Sequence, residues 1–268
     1  MSLNVKRWVW VFCVVWAAML PGCGLQFETE DEGEDSFVPE LRAFFGGYRS
    51  EAQEFDHLAS EDPDLRSKAI AFFAAREEGG KLFFLKYFRL MTTHGDGSVR
   101  LEAVKALGIH GGVSDAKIYL APRLKDKQEI VRWQAAVALG KIRNEGVVDA
   151  LVDALQKDLY ADVRVGAAKA LGQYPSRRVF NVLVQAVDDR DFGVSYRARE
   201  SLVLLTGEDL GTEAGDWLDW AEKQEGDLFV GRGVYTYTPF KGKRGFLNNL
   251  MVWRDAEFGR PKRAKGDE

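Results

Sequence analysis

An apolar residue followed by arginine recurs about every 32 residues through the middle of this 268-residue chain. The copies are Leu65-Arg66, Val99-Arg100, Val131-Arg132 and Val163-Arg164, with a fifth, Val194-Ser195, in which the arginine is lost. Three of them run on in register to the same ending: Ala106-Leu107-Gly108, Ala138-Leu139-Gly140 and Ala170-Leu171-Gly172. A fixed period between about 20 and 50 residues marks an array of stacked supersecondary units, each burying its apolar side against its neighbours. That constraint outranks every local signal in the chain.

Within a copy the spacing is helical. Val131, Ala135, Ala138 and Leu139 stand at i, i+4, i+7 and i+8, as do Val99, Ala103, Ala106 and Leu107, and again Val163, Ala167, Ala170 and Leu171. Residues so spaced form one stripe on an α-helix. Alanine in the stripe lets neighbouring axes approach toward the lower end of the usual ~8–10 Å. The glycine after each stripe predicts a left-handed C′ residue and an abrupt helix end.

A second helix is expected after each stop, carrying Leu120/Leu124, Leu151/Leu155 and Leu183/Val187. Charged turns then lead to the next copy, with Asp126, Asp158 and Asp189 each about six residues ahead of the Arg132, Arg164 and Ser195 slots. Such aspartates suit N-caps or turn acceptors. The arginines, Arg66, Arg100, Arg132 and Arg164, can bond back to their own turn or reach the following repeat. On either geometry these Asp and Arg residues are scaffolding.

The unit, best seen from Asp126 to Gly140 and Asp158 to Gly172, with weaker copies at Asp62 to Phe73 and Asp96 to Gly108, resembles a HEAT repeat. It is similar in particular to the short bacterial form of phycobilisome-lyase-type HEAT proteins. The resemblance covers residues 60–207 and implies an all-α, right-handed solenoid of about five helix pairs, whose second helices line a partner-binding surface. The motif is made of packing residues, so it implies no activity. Pro122 interrupts the second helix of its repeat and predicts a kink or a late start. Trp217 and Trp220, at i and i+3, are placed to cap the end of the stack.

The first 22 residues read as an address. Lys6-Arg7 precede an unbroken apolar run from Trp8 to Leu20, too short for a comfortable span of ~20 residues and followed by small residues. Leu20-Pro21-Gly22-Cys23 resembles a bacterial lipobox. That resemblance implies cleavage before Cys23 and acylation of its thiol; an ordinary cleaved signal and an uncleaved anchor are the competing readings. Gly24, rather than aspartate, after the cysteine implies outer-membrane retention facing the periplasm. Several acyl chains hold a protein stably at a bilayer, whereas one is marginal. The remaining cysteine, Cys13, lies in the leader, so the mature chain carries no disulfide.

Residues 23–37 then form an anchor and an acidic linker, with Glu28, Glu30, Asp31, Glu32, Glu34 and Asp35 repelling one another into a solvated, disordered tether. The repeat body with its caps is expected over 38–225, including short helices at 39–45 and 52–58. After Glu225 the pattern breaks into a basic, aromatic tail over 226–268, suited to a short hairpin or a strap along the last helices. From Lys241 onward it carries eight Lys/Arg against four Asp/Glu. The whole chain is nonetheless acidic, at net −4, which lacks the basic footprint of a nucleic-acid binder.

Chemistry-bearing constellations are sparse. The histidines, His57, His94 and His110, carry no following glutamate, so the His-Glu steps of HEAT-fold di-iron hydroxylases are missing. His94 and His110 flank one predicted helix and stand roughly 15 Å or more apart at ~1.5 Å per residue, too far to share a metal. Gly79-Gly80 and Gly111-Gly112 lie between helices, not in a phosphate loop after a strand. The expectation is therefore a non-catalytic, lipid-anchored envelope scaffold with protein partners, no cofactor, no metal and no nucleic acid. The alternative is an envelope enzyme or lyase-like subunit with its chemistry outside the repeats.

Overall fold

The computed structural model describes residues 51–237 and 261–267. Contacts group these described residues into one compact unit. Cys23, the leader, the acidic linker, the 39–45 segment and residues 238–260 of the tail lie outside the described residues.

Helices alternate in two rows. The first row holds α2 (Pro63–Ala74), α4 (Gly97–His110), α5 (Glu129–Leu139), α7 (Ala161–Leu171) and α9 (Phe192–Thr206). The second holds α3 (Leu82–Met91), a broken segment at 113–125, α6 (Val148–Lys157), α8 (Arg177–Val187) and the closing α10 (Ala214–Glu222). A leading helix, α1 (Glu51–Leu58), packs on α2. Each first-row helix packs against its first-row neighbours and against the second-row helix that precedes it.

The stripes explain this packing. Val99, Ala103, Ala106 and Leu107, their counterparts in α5 and α7, and Val194, Ala198 and Leu202 in α9 are all fully buried. The second-row pairs Leu120/Leu124, Leu151/Leu155 and Leu183/Val187 are buried too. At the far end Trp217 is fully buried and its indole N–H donates to Gly211 O at 3.1 Å. Trp220 packs against the same core, its ring 6.3 Å from that of Phe180. The tryptophan pair thus closes the stack.

Three local expectations are resolved. The repeat glycines do not end helices in the left-handed region: α4 continues past Gly108 to His110, and Gly140 and Gly172 sit at φ −66° and −58°. Their smallness serves close approach instead. A Cβ on Gly108 would lie 2.9 Å from Ala138 Cβ, and one on Gly172 would lie 3.0 Å from Ser201 Oγ. Only the longer fifth copy ends as the glycine rule predicts, at Gly207 with φ +83°. Second, of the two roles open to the aspartates the structure shows the turn acceptor: Gln128 and Tyr160 hold the N-cap position, and Asp126 and Asp158 accept from their N–H groups at 3.0 Å. Side-chain caps occur instead at Asp62, Asp96, Ser176 and Asp191. Third, Pro122 leaves no continuous helix: Ala116–Leu120 is π-helical and Ala121–Lys125 is a 3-10 turn, as a ring without an N–H requires.

The chain then doubles back. Gly233 N–H bonds to Leu204 O at 2.7 Å, and β1 (Thr236–Tyr237) pairs antiparallel with β2 (Lys262–Arg263). Beyond β2, Lys265 N–H donates to Lys141 O at 3.0 Å, and its carbonyl accepts from Arg143 N–H at 2.7 Å. The Lys265 ammonium reaches Ile109 O and Gly111 O at 2.8 and 2.9 Å, a cation at the negative end of α4. The described tail residues therefore strap the loops that follow the first-row helices.

Candidate functional site

The arginine and aspartate positions converge into a ladder between repeats. Arg100 makes a bidentate pair with Asp126 at 2.8 and 2.7 Å, Arg132 with Asp158 at 2.7 and 3.0 Å, and Arg164 with Asp189 at 2.9 and 2.8 Å. Each arginine also turns back: Arg132 donates to Asp126 O at 3.0 Å and Arg164 to Asp158 O at 3.1 Å. Both directions open to the sequence are thus used at once. One guanidinium fork clamps its own entry turn and the next one, and a planar five-donor group does this where lysine does not.

The ends of the ladder differ. Arg66 meets His94 Nε2 at 2.7 Å and also bonds Ser60 O. Ser195 supplies no further rung. Arg89, on α3, makes a parallel bidentate pair with the buried Asp115 at 2.8 and 3.0 Å. Sequence reasoning missed this rung, although its 26-residue separation equals that of Arg100–Asp126 and Arg132–Asp158.

The electrostatics follow from this geometry. Burial pushes the Asp126, Asp158 and Asp189 carboxyls up, but hydrogen bonds from Arg100, Arg132 and Arg164, together with turn N–H groups, hold them below the ordinary aspartate value. Each carboxylate accepts three hydrogen bonds, two from its arginine and one from a turn N–H. His57 lies 3.5 Å from Glu54, and His110 Nε2 is 2.8 Å from Ala74 O. Among the described residues no three His, Cys, Asp or Glu converge to hold a metal ion. No described helix is long and apolar enough to cross a membrane.

The second row faces solvent with polar side chains. Its exposed side chains bridge repeat to repeat: Lys125 to Asp153 at 3.9 Å, Gln156 to Gln185 at 3.3 Å, and Arg178 to Asp149. Lys117 and Asn181 are exposed between them. Each bridge is exposed and worth at most ~1 kcal/mol, so a partner exchanges these contacts for its own at small cost. Near the start of the stack the surface turns apolar, with Leu82, Phe83 and Phe55 exposed and the two phenylalanine rings stacked 5.6 Å apart.

Repeating helix pairs, a first row in mutual contact and a ladder at the turns describe one architecture, and residues 86–164 and 148–218 both match the family model for HEAT repeats. These residues are HEAT repeats. Among solved structures, the complex of CpcE and CpcF of phycocyanin lyase from Nostoc sp. PCC7120 is similar at 16% identity, over 76% of this chain and 77% of that one, with a TM-score of 0.52. Two crystal structures of engineered proteins also align, with TM-scores of 0.46 and 0.47. They show 23% and 19% identity, over 57% and 68% of this chain and 77% and 94% of theirs. At such identities the likeness concerns the fold alone. No curated protein matches the sequence.

Proposed function

We propose that this HEAT-repeat chain is a non-catalytic scaffold, lipid-anchored through Cys23 in a bacterial envelope, that holds a protein partner along its second helix row. The observation that carries this reading is the row itself. Gln156, Gln185, Asn181 and the Lys125–Asp153 pair offer donors and acceptors from consecutive repeats, while the arginines and aspartates of the turns are saturated by one another. Affinity on such a face comes from many modest polar contacts and from a scaffold that needs no ordering when the partner arrives.

Anchoring rests on Leu20-Pro21-Gly22-Cys23 behind a short apolar run, and the acidic residues that follow suit a spacer between membrane and body. The neighbour from the phycocyanin lyase complex supports the general idea that an array of this kind works beside another chain. The test is fractionation plus crosslinking in the native host. Wild type is expected in the membrane fraction, Cys23→Ala in the soluble one, and a single protein crosslinked in constant ratio. Membrane association unchanged by Cys23→Ala, or no discrete crosslinked protein, contradicts the respective half of the proposal.

A further inference from the structure

The outward positions of the second row change character part-way along it. Two residues ahead of the buried Phe84, Leu120, Leu151 and Leu183 stand Leu82, Ile118, Asp149 and Asn181. All four are exposed. The first two are apolar, at 62% and 59% exposure, and Leu90, about two turns beyond Leu82, is 65% exposed. The last two are polar. An apolar start therefore gives way to a polar end at equivalent places in successive repeats.

Charge changes at the same point. Residues 81–91 and 113–125 carry six lysines and arginines against one aspartate. That aspartate, Asp115, is buried and taken by Arg89, and Arg123 reaches Thr92 O at 3.0 Å. These bonds hold the two elements side by side. Lys81, Lys86, Lys117 and Lys125 are exposed on them. The acids nearest in sequence, Glu77 and Glu78, belong to the 3-10 turn ahead of α3. Further along, α6 carries two aspartates against one lysine, α8 has its two arginines in the first turn, and α10 carries three acidic residues and no basic one. A single exposed leucine is ordinary, but several on one face amid lysines mark an interaction surface. The exposed side chains of α3 and its N-cap, Lys81, Leu82, Phe83, Lys86 and Leu90, include no hydrogen-bond acceptor. Such a face has little with which to orient a protein partner, whereas a fluid anionic surface asks only for apolar groups to bury and cations to meet its headgroups.

We infer that the start of the second row, α3 with residues 113–125, lies on an anionic lipid bilayer, with Leu82, Leu90 and Ile118 entering the acyl boundary and Lys86 and Lys117 meeting the headgroup phosphates. The contact is separate from acylation of Cys23. It leaves the polar end of the row, with Gln156, Asn181 and Gln185, to the protein partner proposed above.

The test uses the full chain with Cys13→Ala and Cys23→Ala, so that one introduced cysteine carries an environment-sensitive fluorophore. The sites are Leu82→Cys, Leu90→Cys, Ile118→Cys, Asp149→Cys and Asn181→Cys, all exposed in the structure, and circular dichroism checks that each labelled chain is folded. The probes are vesicles of phosphatidylcholine mixed with phosphatidylglycerol, and of phosphatidylcholine alone, each with nitroxide-bearing acyl chains. In mixed vesicles the labels at 82, 90 and 118 are expected to shift to the blue and to be quenched, and those at 149 and 181 to do neither. Whatever the leader does is common to all five chains, so the contrast between positions reads the face itself. Adding Lys86→Gln and Lys117→Gln to the Leu90→Cys chain should lower the engaged-to-free ratio of its label about fivefold per lysine, the equivalent of ~1 kcal/mol for each basic residue near an anionic surface. Equal quenching at all five positions, none at 82, 90 and 118, or quenching indifferent to both the anionic lipid and the two lysines overturns the inference. So does crosslinking of one protein at 82, 90 and 118 in native envelopes without lipid quenching there, which assigns the face to a protein partner.

Discussion

Asp126→Asn removes the acceptor from the most buried rung of the ladder. The Arg100 and Asp126 side chains are only 5% and 3% exposed. The carboxylate holds both arms of Arg100, accepts from Gln128 N–H at 3.0 Å, and lies 3.6 Å from Arg123. The amide keeps the shape but cannot accept at both oxygen positions, and it leaves the Arg100 charge buried with the carbonyls of His94 and Gly95 at 2.9 Å as its remaining partners. Breaking one side of a buried pair costs ~3–5 kcal/mol, mainly through the stranded partner. At ~2–4 °C per kcal/mol for a body of this size, Tm should fall by roughly 6–20 °C. The control is Asp149→Asn, whose partner Arg178 is 59% exposed, itself 81% exposed; a pair of that kind is worth ~0–1 kcal/mol. The double variant Arg100→Met/Asp126→Leu should recover most of the loss, because the stranded charge is gone. Far-UV circular dichroism melts of the four proteins decide the matter. Equal shifts for Asp126→Asn and Asp149→Asn, or a double variant no better than the single one, would refute the claim that the rung acts as a buried, mutually dependent pair.

Three further outcomes follow from the same geometry. Gly215→Ala, with open space around the new methyl, should stabilise by ~0.5–1 kcal/mol, whereas Gly108→Val, aimed at Ala138, should destabilise by ~1–3 kcal/mol; chemical denaturation of both reads the contrast. The lowered carboxyl pKa values of Asp126, Asp158 and Asp189 mean that the folded state binds fewer protons there than the unfolded one. Their stabilisation is therefore complete above the unfolded value near ~4 and lost as pH falls through the folded values, and Tm against pH for wild type and Asp158→Asn should show the variant with the shallower acid limb. Trp217→Ala should cost ~3–5 kcal/mol, measurable by urea titration, since its fully buried ring is a large part of the packing at the end of the stack.

Sequence alone was a good guide wherever the determining interaction is local. The stripes at i, i+4, i+7 and i+8 depend only on helix geometry, and every one of the twelve valine, alanine and leucine positions in α4, α5 and α7 is buried. The glycines mislead for an instructive reason: a residue without a side chain suits both a left-handed helix end and a tight crossing, and the sequence does not distinguish them. At Gly108 and Gly172 the neighbouring helix decides. The arginine partners were legible as a choice between two turns, and the bidentate fork takes both. The strap was legible as a break in the helical pattern after Glu225, but not its partners, because extended backbone bonding to the carbonyls of Leu204 and Lys141 asks almost nothing of the side chains involved.

The most direct test of the account places a photo-crosslinking amino acid singly at Gln156, Asn181 and Gln185 on the second row, and at Lys105 and Val137 on the first, in the native host. The account predicts that the three second-row positions capture one and the same protein and that the two first-row positions do not. Capture confined to the first row, or a different set of adducts at each second-row site, would contradict it.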